Sequence, residues 1–350
     1  MTSSSFTPQC PVPHVESDSI QLAHGEGARL TRRLIREELL CAFANPFLSP
    51  LADSATLPAV EGPIVMTTDS SVVSPLFFPG GNIGSLAVYS AINDLAVSGA
   101  FPLYLSLALI LEEGLSIDTL RRVVASISEA ARTCGVPIVT GDTKVVPRGA
   151  ADKLFICTTG IGRQRKDVDA GVQRVRPSDK ILISGTMGDH GLAVLSAREG
   201  LDLGDNLISD SAPLHDLVDR LLESGAEVRF MRDPTRGGVA AVLHELVEQF
   251  SFAIRLDEAS LPISPVARGA CELLGLDALH IANEGKLLAV VSEKTAGAAI
   301  EALRGHPLGA HATIIGEIAD SPSAEVLLVN RFGQVRNIDE PSGAPLPRIC

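Results

Sequence analysis

The sequence predicts an α/β (α+β) fold in two lobes of similar length. Three observations lead there. Short apolar runs alternate with longer segments of helical spacing, the pattern of strands and helices layered together. The length of 350 residues suits two domains better than one. Apolar residues make up 45% of the chain, aromatics only 4%, and there is no Trp, so an ample core is built from Leu, Val, Ile and Ala.

The elements follow in order. Residues 31–43 read as an amphipathic helix. Residues 64–68 read as a short strand ending at Asp69, and 84–98 carry small and apolar residues at helical spacing. A strand over 104–111, a helix over 117–134 and strands over 137–140 and 154–161 complete the first lobe. The polar stretch 163–179 reads as the junction. The second lobe alternates again: strand 180–184, helices 192–198 and 214–222, strand 227–230, helix 238–250, strand 252–256, helix 265–274, strand 287–291, helix 295–303 and strands 313–318 and 325–329. The expected organisation is a leader over 1–20, domains over 21–165 and 166–336, and a tail over 337–350.

Composition excludes several classes. A net charge of −13 argues against a nucleic-acid or anionic-membrane surface and suits a protein that gathers divalent cations through carboxylates. The longest apolar stretch, 103–111, contains Ser106 and stops at Glu112 and Glu113, well short of the roughly 20 residues a bilayer needs. The first twenty residues have no basic segment followed by an apolar one and read as a disordered leader. The cysteines at 10, 41, 134, 157, 271 and 350 include no CxxC pair, so a reduced cytoplasm is expected, with Cys41, Cys134, Cys157 and Cys271 in the core.

Chemistry concentrates where elements end in Asp beside Gly, Thr or Ser. Asp69 lies in TTDSSVV, Asp94 in INDLAVSGA, Asp142 in VTGDTKVV and Asp233 in MRDPTRGG. Any one such Asp also serves as a helix cap or turn residue. Four in similar contexts suit convergence at the carboxyl ends of strands, where they would bind Mg²⁺ bridging to phosphates. Gly80-Gly81, Gly237-Gly238 and the turn SGTMGDHG would let backbone amides approach an anion. No GxxxxGK[ST] and no strand-borne GxGxxG occurs, so the spacing suggests an Mg-nucleotide site outside the P-loop type. Lys144 reads either as a phosphate contact or proton-transfer group, or as a solvated loop lysine. Glu284, in ANEGK, reads as a general base, a metal ligand or a turn residue. Asp53 is a weaker candidate ligand.

The chain ends Pro347-Arg348-Ile349-Cys350, with Pro341 and Pro345 upstream. Proline fixes φ and donates no hydrogen bond, so an extended, partly polyproline-II arm is expected. At about 3.1 Å per residue it reaches about 30 Å from Asp339. Such an arm could carry a covalent group on its terminal thiol; a frayed end that happens to close on Cys is the plain alternative.

Taken together, LAHGEGARL, ANPFL, TDSSVVSPLFFPGGNIG, NDLAVSGA, VTGDTKVV, MRDPTRGG, ANEGK and the terminal PRIC resemble the hydrogenase maturation carbamoyl dehydratases (HypE), of the aminoimidazole-ribonucleotide-synthetase-like (PurM-like) superfamily. The resemblance runs from about Leu22 to Cys350, departing at Ala28, where the family pattern has Gly. It implies a PurM-like architecture with an N-terminal lobe forming a dimeric β-barrel-like core, a C-terminal α/β lobe and a flexible tail. It also implies an activity: a HypF-like carbamoyltransferase loads the terminal cysteine, ATP drives dehydration of the S-carbamoyl group to S-cyanate, and a HypC/HypD-like iron scaffold accepts cyanide for [NiFe]-hydrogenase. On that reading Cys350 bears the substrate. Asp69, Asp94, Asp142 and Asp233 hold Mg²⁺ and ATP phosphates, Lys144 and Glu284 transfer protons at the amide nitrogen, and Thr143, Thr235 and Asn283 orient them. The rivals are a small-molecule ATP kinase or synthetase of the same superfamily, with selenophosphate or thiamine-phosphate chemistry, and a binding module whose tail docks a partner without chemistry.

Overall fold

Helix α3 (Ile83–Val97) is apolar or small on every side, and all but three of its residues are buried. A helix with no polar face belongs in the middle of a protein, and α3 lies between two sheets. Its start is fixed by a reciprocal cap: Asn82 Oδ1 accepts from the Gly84 and Ser85 amides, and Ser85 Oγ accepts from the Asn82 amide. Gly84 is needed for space, because a Cβ there would sit 2.6 Å from the Val123 carbonyl oxygen.

The fold comes from a computed structural model describing residues 18–350 except 205, 250, 251, 322, 342, 344, 345 and 347. The expected leader, with Cys10, falls outside the described residues up to position 17, as do Pro345 and Pro347 of the arm. The chain begins with α1 (Arg29–Leu34), which continues through a π-helical segment (Ile35–Leu40) into α2 (Cys41–Phe43). Strand β1 (Ile64–Ser71) and the small hairpin β2 (Phe77–Phe78) and β3 (Gly81–Asn82) lead into α3. Then come β4 (Ala100–Glu112), α4 (Ile117–Thr133), β5 (Ile138–Val146) and β6 (Leu154–Gln164). These form a four-stranded sheet of order β1-β6-β4-β5, parallel only between β4 and β5, the pair joined by α4.

The second part runs β7 (Lys180–Ile183), α5 (Asp189–Glu199), α6 (His215–Glu223), β8 (Val228–Arg232), α7 (Gly238–Gln249), β9 (Ala253–Asp257), α8 (Pro265–Leu274), β10 (Leu288–Val291), α9 (Ala296–Arg304), β11 (Thr313–Ala319), β12 (Val326–Val329) and β13 (Val335–Asn337). Its seven-stranded sheet has the order β13-β12-β9-β11-β7-β10-β8. Among the described residues no helix is long and apolar enough to cross a membrane.

Three expectations need correction. Asp69 and Asp142 do not follow strands; they lie within β1 and β5, which continue through polar residues because their pairing with β6 and β4 continues. Register then sends them to opposite faces. Ser70, Cys157, Ala108 and Asp142 form one cross-strand row; Asp69, Thr158, Leu107 and Gly141 form the adjacent row, on the other face. Third, Cys41 is exposed and Cys157 half-buried; of the four cysteines expected in the core, Cys134 and Cys271 are buried.

Asn82→Ala should lower stability by about 1 kcal/mol through loss of the α3 cap; the urea midpoint at unchanged m-value measures it.

Candidate active site

Asn93 of α3 ties the two sheets together. Its Nδ2 donates to the carbonyls of Ala212 (3.1 Å) and Glu284 (3.2 Å), and its Oδ1 accepts from the Leu214 amide at 2.7 Å. This staple places Glu284 against the same helix, where Ser90 Oγ lies 3.3 Å from Glu284 Oε2. From the other side Asp210 Oδ1 accepts the Glu284 amide at 3.1 Å and Asp210 pairs with Lys286 at 2.9 Å. Gly285 permits this approach: a Cβ there would fall 1.8 Å from the Asp210 carbonyl oxygen.

Glu284 is 2% exposed. Burial, then the charges of Asp233, Asp69 and Asp210, push its carboxyl well above the usual range, favouring the uncharged acid. Its Oε1 has no hydrogen-bond partner among the described residues. The thiol of Cys350 lies near the Glu284 carboxyl and is itself pushed up strongly by burial and by Glu284, with Arg236 opposing. The C-terminus therefore rests inside the chain's own site. Ile349 is 4% exposed and packs with the first lobe's core, which contributes about 2 kcal/mol to seating the end. His190 Nε2 lies 3.0 Å from the Ile349 carbonyl.

Asp94 and Asp233 join this cluster. Asp94 accepts from Thr67 Oγ1 at 2.5 Å, and burial, with Asp69 nearby, raises it. Asp233 directly follows β8 and is pushed up to about 7 by burial and then by Asp94. Thr235 forms the turn that follows, its amide donating to the Asp233 carbonyl at 3.0 Å. Asn283 has a different task from touching a ligand: its Oδ1 accepts from the Gly188 amide, and its Nδ2 donates to the carbonyls of Pro234 and Ile281. Both amide hydrogens are spent on fixing two turns of the site.

Asp69, Asp94, Asp233, Glu284 and Cys350 thus come together. Asp142, Thr143 and Lys144 do not; β5 carries them along a groove beside α1, with Asp142 and Lys144 exposed. Asp53 is exposed as well. Ala28, in extended backbone at φ −93°, takes a conformation open to any residue. Sequence reasoning missed Ser90, Asn93, Asp210 and the roles of His190 and Lys286. Asn93, His190 and Lys286 stood within quoted motifs, INDLAVSGA, GDHG and ANEGK, whereas Ser90 and Asp210 have no local signal because their partners are distant in sequence.

The two sheets correspond to a class. Residues 52–164 match the AIR synthase related protein, N-terminal domain, and residues 176–329 its C-terminal domain. Within that class the chain belongs to the carbamoyl dehydratase HypE family. It is 49% identical over 337 residues to the carbamoyl dehydratase HypE of Rhizobium leguminosarum bv. viciae, covering 96% of each chain. The crystal structure of hydrogenase maturation protein HypE in complex with ATP is similar at TM-score 0.90 and 47% identity, covering 94% of this chain and 99% of that one. A crystal structure of a HypE–HypF complex contains a chain similar at TM-score 0.77 and 44% identity, over 88% of this chain and 99% of that one.

The Asp233 shift gives a pH test. A carboxyl raised in the fold stabilises fully below its unfolded value of 3.8, and that stability is lost as pH rises through about 7. Asp233→Asn should therefore match the parent near pH 4 and exceed it near pH 8 by about 4 kcal/mol at most; thermal melts across that range measure the gap.

Proposed function

We propose that this protein carries a carbamoyl group on Cys350 and dehydrates it to S-cyanate with ATP, supplying cyanide for [NiFe]-hydrogenase iron. The observation that carries this reading is the terminal thiol seated beside the buried Glu284 carboxyl, which burial pushes toward its uncharged form. A kinase acting on a free small molecule has no use for its own C-terminus in that position, and a passive docking tail has no use for the carboxyl cluster beside it.

An amide oxygen leaves poorly; as phosphate it leaves well. The carboxamide oxygen attacks the γ-phosphorus of ATP, ADP departs, and the nitrogen loses one proton. The C–O bond then breaks, phosphate leaves, and loss of the second nitrogen proton forms S–C≡N. Catalysis here is positioning and electrostatics. Glu284 takes a nitrogen proton through Oε1 once nucleotide binding has rearranged the surrounding charge. Asp69, Asp94 and Asp233 offer hard oxygen donors whose crowding a cation relieves. Among the described residues no three His, Cys, Asp or Glu side chains stand ready to hold a metal ion, which suits Mg²⁺ arriving with phosphates on one or two carboxylates. That ion would neutralise charge on the transferring phosphoryl group.

The half-buried thiol, pushed up by its surroundings, is a poor nucleophile. The arm therefore leaves the site to be loaded by a HypF-like carbamoyltransferase, returns for dehydration, and leaves again to meet a HypC/HypD-like scaffold. The working parts are a nucleotide-binding and dimerising lobe over 21–165, a second lobe over 166–336 and the carrier arm over 337–350, in the cytoplasm. A second copy covers the open face of the first sheet, where Ile64 and Met66 stand 61% and 68% exposed. Asp142 and Lys144 project from that same face, so they serve the site across the dimer, Lys144 as the proton-transfer partner of the other copy's Glu284.

Cys350→Ala should abolish carbamoyl acceptance, read by intact mass, with dimer and melting temperature unchanged. Glu284→Gln should accept the carbamoyl group yet dehydrate it at a rate at least about 100-fold lower. Mixing Lys144→Ala and Glu284→Gln chains should restore part of the dehydration absent from either alone; no restoration would place the two groups in one chain.

A further inference from the structure

His190 is fully buried, and both ring nitrogens are engaged. Nε2 faces the Ile349 carbonyl, which only accepts, so Nε2 carries the hydrogen and donates. Nδ1 then accepts from Ser209 Oγ at 2.8 Å, and Ser209 Oγ accepts from the Ser211 amide at 3.1 Å. The ring edge also packs on Phe78, with centroids 5.5 Å apart. One residue earlier, the Arg348 carbonyl accepts from the Ser74 amide at 3.3 Å and from the Arg198 guanidinium, whose Nε is anchored on the Ser74 carbonyl at 2.8 Å. Three donors from two separate segments thus hold two consecutive carbonyls, directly before the thiol.

We propose that His190, with Arg198 and the Ser74 amide, is the latch that seats the arm, gripping its main chain and leaving the thiol free to change its cargo. A grip on the sulfur would have to be remade as the group passes from thiol to carbamoyl to cyano. A grip on the carbonyls of Arg348 and Ile349 is the same for all three. His190 is a positioning residue: its link through Ser209 to the 209–211 segment, which holds the Glu284 amide through Asp210, ties seating of the arm to placement of the base. The inference rests on the dehydration reading for its purpose, not for its geometry.

Alkylation of the intact protein, with Cys350 and exposed Cys41 quantified by peptide mass spectrometry, tests the latch without any turnover. His190→Ala should raise the Cys350 rate roughly fivefold or more, the effect of one lost buried hydrogen bond, with Cys41 unchanged. His190→Gln, which keeps a donor, should recover much of the parent protection. An unchanged Cys350 rate in a folded His190→Ala protein overturns the proposal. Should buried Cys134 and Cys271 become reactive, the fold is lost, and Arg198→Ala decides instead: selective exposure of Cys350 is expected and no change overturns it. In turnover, His190→Ala should be loaded as fast as the parent or faster and dehydrate more slowly. Failure of dehydration in the parent too, with the labelling result intact, would sink the functional reading and leave the latch standing.

Discussion

A carboxylic acid with no solvent and no ordinary partner on one oxygen is the constraint on which this molecule is organised. Burying Glu284 charged would cost several kcal/mol, so the fold pushes its carboxyl toward the uncharged form. Everything around it serves that state. Asn93 and Asp210 fix its backbone from opposite sides, Ser90 takes up Oε2, and Gly285 removes the one side chain that would hold Asp210 away. The remaining oxygen has no hydrogen-bond partner among the described residues, and the chain's own thiol lies near the same carboxyl. Burial pushes both groups toward their uncharged forms, so acid and thiol stand as a resting pair.

Much of this was legible in the sequence, for identifiable reasons. Strand and helix alternation reports local periodicity, and β7, α8 and β10 fall close to where that periodicity puts them. Asp69 and Asp142 read as strand ends because runs of polar residues within a strand look like loop. Only the register with β6 and β4 reveals that strand pairing continues and that the two side chains diverge. Asn283 shows the converse: a polar residue in a quoted motif whose amide is consumed by three backbone groups, none of them near it in sequence except Ile281. Ser90 and Asp210 carry no local pattern, since their meaning lies in contacts across 194 and 74 positions.

The two sheets divide the labour unequally. The seven-stranded sheet and its turns supply Asp233, Glu284 and Lys286, and the four-stranded sheet supplies Asp69 from its covered face while α3 supplies Ser90 and Asp94. The same four-stranded sheet leaves an apolar, partly charged face open on its other side. A single chain thus brings Asp69, Asp94, Asp233 and Glu284 together, while Lys144 lies on the opposite face of the sheet from Asp69.

The root of the arm is held as firmly as its tip. His244 Nε2 lies 3.0 Å from the Ile338 carbonyl and His280 Nε2 3.0 Å from that of Asp339, and Ile338 is buried. The thiol is therefore on a leash of fixed origin. Its encounter with Glu284 is intramolecular and obeys an effective concentration, of millimolar order for a short tether, that no dilution alters. Lengthening the leash lowers that concentration only slowly, roughly as the −3/2 power of its length, whereas shortening it past the span removes the encounter altogether. Partners that meet the thiol outside compete with a local reservoir, and abundance in the cell sets their side of that contest.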